Sequence, residues 1–296
     1  MYNLIKLSLK NINTFRKISK INTNFNSLDK DFFLQYDKYN IIQKIFLRKN
    51  VYLLLEKQED NSQINYIGYI WFERYNKHHS FINSIKVIGS TNLISCYKNL
   101  FNTLSDSKLI SYECERNEVN TDILLELGFE ITKGVMELEK KCVESLNEYL
   151  PKDITFSMVE KDKDEKARCL LQNEIFKNNN RTPIHIEDIY YDEAQEYYFS
   201  EGAIFIKLGG TPIGYGQIIL EDNKAIIVNF GIIEKYRKEG YGKALLNYLL
   251  NVAMDNNFSK VSLKVDSGNK AALNLYFSLG FNIKSEFCTW QKIKDI

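Results

Sequence analysis

The chain has 296 residues, 44% hydrophobic and 13% aromatic, enough for a packed core in each of two ordinary domains. Its 39 basic and 38 acidic side chains leave a formal charge of +1, which speaks against the global field that gathers nucleic acid or an anionic membrane. No run reaches the ~18 apolar residues of a membrane span, and the N-terminus from Met1 to Lys10 alternates like a strand rather than forming the apolar core of a signal peptide.

Two short matches recur along the chain. Ile67-Gly68-Tyr69 returns as Ile213-Gly214-Tyr215, and Leu127-Gly128-Phe129 returns as Leu279-Gly280-Phe281. The first pair reads as a strand after a hairpin turn, the second as a helix end with Gly at the left-handed C′ position. The spacing predicts a duplicated domain, with boundaries at 1–143 and 150–296 and a join near Lys140 to Pro151.

In the second half, Ile154 to Met158 reads as a strand, and Asp164 to Asn178 and Ile186 to Phe199 as helices. Strands follow at Ala203 to Leu208, Ile213 to Leu220 and Ala225 to Ile232, with Gly209-Gly210-Thr211-Pro212 and Glu221-Asp222-Asn223-Lys224 as the turns between them. Gly242 to Asn256 is helical, Lys260 to Val265 a strand and Asn269 to Leu279 a helix. The fold class is α/β: an antiparallel meander followed by a strand, helix, strand crossover in one mixed sheet.

The chemistry concentrates between Val228 and Phe281. Arg237-Lys238-Glu239-Gly240-Tyr241-Gly242-Lys243 lies between a strand and a helix, where glycines let backbone N–H groups approach an anion and the helix dipole favours it. A dinucleotide fingerprint fails because its third glycine falls on Leu245, and a Walker loop fails because Ala244 follows Lys243. Asn269 and Tyr276, two helical turns apart, share a helix face.

These residues resemble the GNAT superfamily of acyl-CoA-dependent N-acetyltransferases over roughly Ala225 to Phe281. The resemblance implies two tandem GNAT-like domains and acetyl-CoA as co-substrate. The pyrophosphate loop falls on Arg237, Gly240 and Gly242, with Lys238, Glu239, Tyr241 and Lys243 matching in position. The splayed strand that holds pantetheine falls on Phe230, Gly231 and Ile232; Asn269 and Ala272 border the pantetheine arm, and Tyr276 is the general acid beside the sulfur. The acceptor is a small-molecule or peptide amine, and candidates for its base are water on the backbone near Asn229, Glu234 or Asp266.

The first half resembles a degenerate copy. Asn117 stands opposite Asn269 but Leu124 opposite Tyr276, and the only echo of the phosphate loop is Lys86-Val87-Ile88-Gly89-Ser90-Thr91. This half is expected to bind coenzyme A poorly. From Ile186, an acidic face of Glu187, Asp188, Asp192, Glu193 and Glu196 reads as solvated, with an acidic rim for a cationic amine as the other reading. His78, His79 and His185 have no metal or triad pattern, and the dispersed Cys96, Cys114, Cys142, Cys169 and Cys288 lack zinc spacing, so no metal is expected. A cytoplasmic monomer or homodimer with no nucleic acid or membrane partner follows. The rival readings are a non-catalytic acyl-CoA sensing module and an aminoacyl transferase with duplicated domains of this type.

Overall fold

The structure, a computed structural model, describes residues 2–57, 64–89, 92–142, 151–177 and 181–294. Most of the expected join, 143–150, lies outside the described residues, as do Ser90, Thr91 and Asn178. The chain divides into two compact units, Met1–Val135 with Ser285–Ile296, and Met136–Lys284.

The N-terminal unit begins with β1 (Tyr2–Lys6), α1 (Ile12–Ser19), α2 (Phe32–Tyr36) and α3 (Ile41–Lys49). It continues through β2 (Val51–Lys57), β3 (Ile64–Arg74), β4 (His79–Val87), α4 (Leu93–Asn102), β5 (Leu109–Glu115) and α5 (Glu118–Glu126) into β6 (Glu130–Lys141). Strands β1 to β4 pair antiparallel in chain order, and β4 pairs parallel with β5. Beside β5 lies Phe287–Ile293 of the last strand, β12 (Asn282–Ile293).

The C-terminal unit runs through β7 (Ile154–Met158), α6 (Glu165–Ile175), α7 (Ile186–Glu193), β8 (Tyr198–Leu208), β9 (Thr211–Glu221) and β10 (Lys224–Ile232). It ends with α8 (Tyr241–Asp255), β11 (Lys260–Asp266) and α9 (Lys270–Ser278). Its strands β7 to β10 are antiparallel, β10 and β11 are parallel, and β6 lies next to β11. Helices cover both faces of each sheet. In the C-terminal unit, Leu245 and Leu249 of α8 and Leu273 of α9 share one core with Ile204, Ile218 and Val261, while α6 covers Phe205 and Tyr215 in a second core.

Each unit is thus completed by a strand that belongs, in the repeat, to the other copy. Lysines record the exchange at side-chain level. Lys140 on β6 donates to the Leu279 carbonyl at the end of α9, at 2.6 Å, and Lys292 on β12 donates to the Leu127 carbonyl at the end of α5. Both place a cation at a helix C-terminus, where the exposed carbonyls and the dipole favour one.

The repeated residues have local causes. Gly128 and Gly280 take φ of +78° and +80°, the expected left-handed helix stops. In Ile-Gly-Tyr, a Cβ on Gly68 would meet the Lys86 carbonyl at 2.6 Å, and one on Gly214 the Gly231 carbonyl at 2.9 Å. Asn117 and Asn269 both cap helices, accepting from Asn120 and Ala272 N–H.

Two elements differ from expectation. The helix from Ile186 stops at Glu193 instead of Phe199, because Tyr198 already pairs with Ile219 in β8 and the aromatic run there suits a pleated strand better than a helix. Lys86 lies inside β4, paired with Tyr69, and donates to the carbonyls of Ser19 and Ile21; it is a strand residue and not part of a loop.

Candidate active site

The parallel pair β10/β11 holds register from Ala225↔Val261 to Ile227↔Leu263 and then opens, while β10 stays paired with β9 as far as Ile232↔Gly214. A bulge between Val228 and Gly231, with Asn229 at φ +50°, turns β10 away from its neighbour. Ile233 N–H bonds the Ile213 carbonyl on β9 at 2.9 Å. Strand alternation therefore aims the N–H groups of Phe230 and Ile232 into the opening. The opening is a cleft of about 670 Å³, within the usual range for a small-molecule site.

At its mouth, the loop into α8 places Lys238 at φ +69° and Gly240 at φ +84°. Ala244 N–H donates to the Gly240 carbonyl at 3.0 Å, closing the first turn of this helix, whose N-terminal end opens at the cleft mouth. Arg237 donates Nε to the Ile232 carbonyl and an Nη to the Ile175 carbonyl, both at 2.9 Å. The side chain expected at a phosphate thus also ties the loop to the ends of β10 and α6.

Eleven of the thirteen residues singled out from sequence line this cleft: Phe230, Gly231, Ile232, Arg237, Lys238, Gly240, Gly242, Lys243, Asn269, Ala272 and Tyr276. Glu239 and Tyr241 do not; the Tyr241 ring packs on the core instead. The lining adds Leu275, next to Tyr276 on α9, and four residues that local pattern does not mark: Ile175 and Phe176 at the end of α6, Arg181 in the loop before α7 and Lys264 on β11. Five cations, Arg181, Arg237, Lys238, Lys243 and Lys264, face one carboxylate, Asp266. Balanced overall charge hides a basic cleft.

Tyr276 is 7% exposed, its ring 6.1 Å from that of Phe230 and 5.8 Å from that of Phe281. Burial pushes its phenol up to about 12, and its hydroxyl has no hydrogen-bond partner among the described residues. Of the base candidates, Asp266 lines the cleft with Oδ1 accepting Gly268 N–H at 2.7 Å, while Glu234 does not line it. Among the described residues no group of three His, Cys, Asp or Glu is placed to hold a metal, and all five cysteines are free. No helix among them is long and apolar enough to cross a membrane.

The acidic face from Ile186 is exposed at Glu187, Asp188 and Glu196, as expected, and is corrected at two positions: Glu193 is buried and paired with Arg168 on α6 at 3.0 Å, and Asp192 binds the same guanidinium. Gln217 on β9 takes Arg168 at 3.0 Å and Asn229 Nδ2 at 3.2 Å on one oxygen, and donates to Asp192 at 3.1 Å. The network runs from α6 and α7 to the bulge at the cleft, so these charges brace the site.

Residues 171–281 match the Acetyltransferase (GNAT) family. The ribosomal protein bS18 alanine N-acetyltransferase of Escherichia coli K12 is 35% identical over 66 residues, 22% of this chain and 43% of that one. A mycothiol acetyltransferase of Corynebacterium aurimucosum is 39% identical over 62 residues, 21% of this chain and 20% of that one. The chain therefore spans less than half the length of these relatives. Among solved structures, a GCN5-related N-acetyltransferase from Sphaerobacter thermophilus shares the fold at TM-score 0.56 and 13% identity, over 100% of this chain and 97% of that one. A GNAT-family acetyltransferase from Colwellia psychrerythraea does so at 0.52 and 13%, over 99% and 100%. Splayed parallel strands, a glycine loop opening a helix and a mixed sheet define an acyltransferase fold. The C-terminal unit carries the GNAT family match, over residues 171–281, and shares the fold of these structures.

Gly242 gives the cleft its first test. A Cβ there would lie 3.5 Å from Leu275 and 3.8 Å from Ile232, ordinary contact, so Gly242→Ala is expected to keep ligand affinity. Gly242→Val adds methyls that must enter the cleft or overpack its floor, so a ligand seated there should bind about tenfold or more weakly, with acetyl-CoA as the probe in calorimetric titration.

Proposed function

We propose that the C-terminal unit transfers an acetyl group from acetyl-CoA to a primary amine by direct attack, and that the N-terminal unit is a degenerate copy without a catalytic site. The observation that carries this reading is one cleft combining unpaired strand donors, a helix N-terminus ringed by cations, and a buried phenol. An acetyl thioester supplies an activated acyl carbon; the chain supplies the rest. Arg181, Lys238, Lys243 and the N–H groups opening α8 suit the phosphates, with Gly240 and Gly242 keeping side chains clear of the backbone donors. Phe230, Gly231, Ile232, Asn269 and Ala272 suit the pantetheine arm, and the N–H of Phe230 suits the thioester oxygen as charge develops there.

Tyr276 holds the proton for the leaving sulfur. With the phenol near 12 and a thiol near ~8.5, full transfer is uphill by about 5 kcal/mol, so the hydroxyl acts as a hydrogen-bond donor that yields its proton only as the thiolate forms. Asp266 is the best-placed base, directly or through water, for the acceptor's ammonium proton. The acceptor is a small-molecule or peptide amine. Five free cysteines suit a reducing compartment.

A screen of amines, peptides and aminoglycosides with thiol release as readout tests the reading. Release with at least one amine, lost in Tyr276→Phe, is the expected result. Tight acetyl-CoA binding with no release from any acceptor would make the chain a sensing module instead.

A further inference from the structure

The N-terminal unit repeats the cleft geometry and fills it. Its parallel pair β4/β5 holds register from His79↔Leu109 to Ile82↔Tyr112 and then opens, and β4 carries the same kind of bulge against β3, between Trp71 and Phe72. Ser80↔Ile110 corresponds to Ala225↔Val261 in the other unit, so Ile85 takes the place of Phe230 and Val87 that of Ile232. Ile88 N–H bonds the Ile67 carbonyl on β3 at 2.7 Å, which turns the N–H groups of Ile85 and Val87 into the opening.

The opening is met from within the chain. Asp29, from the loop between α1 and α2, accepts Ile85 N–H at 3.1 Å, and Tyr97 packs in the same core cluster as Val87. Lys30 N–H donates to the Asn83 carbonyl at 2.9 Å. On the β5 edge, Asn26 donates Nδ2 to the Glu113 carbonyl at 2.9 Å and accepts Glu115 N–H at 3.3 Å. Phe25, 3% exposed, stacks on Tyr97 with centroids 4.2 Å apart. Asp29 accepts three further donors: Tyr112 Oη and Asn26 Nδ2 at 2.9 Å and Ser84 Oγ at 3.1 Å.

We infer that Phe25–Lys30 is a built-in ligand of the N-terminal cleft, its side chains and backbone completing both strand edges and the Asp29 carboxylate taking the oxyanion position, so that the chain carries one acetyl-CoA site. The inference deepens the proposed function, since it rests on reading the C-terminal cleft as the thioester site. Unpaired strand edges in a buried opening are costly, and a cleft without a cofactor must satisfy them from its own chain. Asn26 does so with an amide that matches a peptide edge on both sides. Asp29 does so with a charge suited to four donors and no acceptor.

Amide hydrogen exchange on the full chain, with and without acetyl-CoA, separates the two clefts. Without ligand, peptides covering Asn83–Val87 are expected to exchange at least about tenfold more slowly than those covering Phe230–Ile232. Acetyl-CoA is expected to slow Phe230–Ile232 and leave Asn83–Val87 unchanged. Slowing at Asn83–Val87 on adding acetyl-CoA, or fast exchange there without it, would overturn the inference. No response at Phe230–Ile232 with Asn83–Val87 still protected would sink the C-terminal assignment and leave the built-in ligand standing. Asp29→Ala is expected to speed exchange at Asn83–Val87 by about tenfold or more without changing Phe230–Ile232; unchanged exchange in that variant also overturns it. Should the variant not fold, the wild-type comparison decides alone.

Discussion

Tyr276→Phe is expected to lower kcat by about 10²–10⁴-fold, the range of a positioned general acid, while acetyl-CoA affinity changes by less than about threefold. The substitution removes one oxygen with no hydrogen-bond partner among the described residues, so no protein group is orphaned by its loss. The ring contacts to Phe230 and Phe281 remain. The pH profile carries the same assignment. A phenol raised to about 12 by burial stays protonated over the whole assayable range, so wild-type kcat should show no falling limb from this group below about pH 11. Steady-state thiol release between pH 6 and 10 checks both points. An unchanged kcat in the phenylalanine variant would remove Tyr276 from the chemistry. A wild-type limb near pH 9 that vanishes in the variant would mean the phenol titrates well below its buried value.

The parts of this site that the sequence displays are those where one residue type answers one local demand. Gly240 has to hold φ +84°, Gly280 has to stop a helix, and Asn269 caps the next; each can be read without knowing its neighbours in space. The exchange of β6 and β12 is invisible locally, because both strands have the same length and pattern and either could complete either sheet. From Asn24 to Asp31, residues that commonly favour turns carry no local mark of burial. Only the fold shows Asn26 and Asp29 spanning an open strand pair. Nor does helical periodicity distinguish a buried carboxylate from a solvated one, which is why Glu193 reads as surface in sequence. The arginine that makes its burial tolerable lies 25 residues away on another helix.

That arginine carries the second large effect. Arg168→Ala is expected to destabilise the C-terminal unit by about 3–5 kcal/mol, because it leaves Glu193 buried without its counter-charge and takes a partner from Asp192 and Gln217. The Arg168 and Glu193 side chains are 1% and 0% exposed, so water screens neither. Burial already raises the Glu193 carboxyl, opposed by Arg168; without the guanidinium it rises further. A carboxyl with a folded-state pKa above its unfolded value binds more protons when folded, so the variant is least stable at neutral pH and recovers as pH falls. Urea unfolding at pH 5 and pH 7 measures this, and a loss below about 1 kcal/mol at pH 7 would show the pair to be dispensable. Arg168→Met with Glu193→Met should restore most of the stability, since an apolar pair replaces a buried ionic one at little net cost. Turnover need not return with it. Gln217 would still lack the bond that orients it, and Gln217 holds Asn229 at the bulge from which Phe230 faces the cleft. A double variant that is stable but impaired in acetyl-CoA affinity would place the network's function in shaping the strand edge; one that is stable and fully active would confine it to the core.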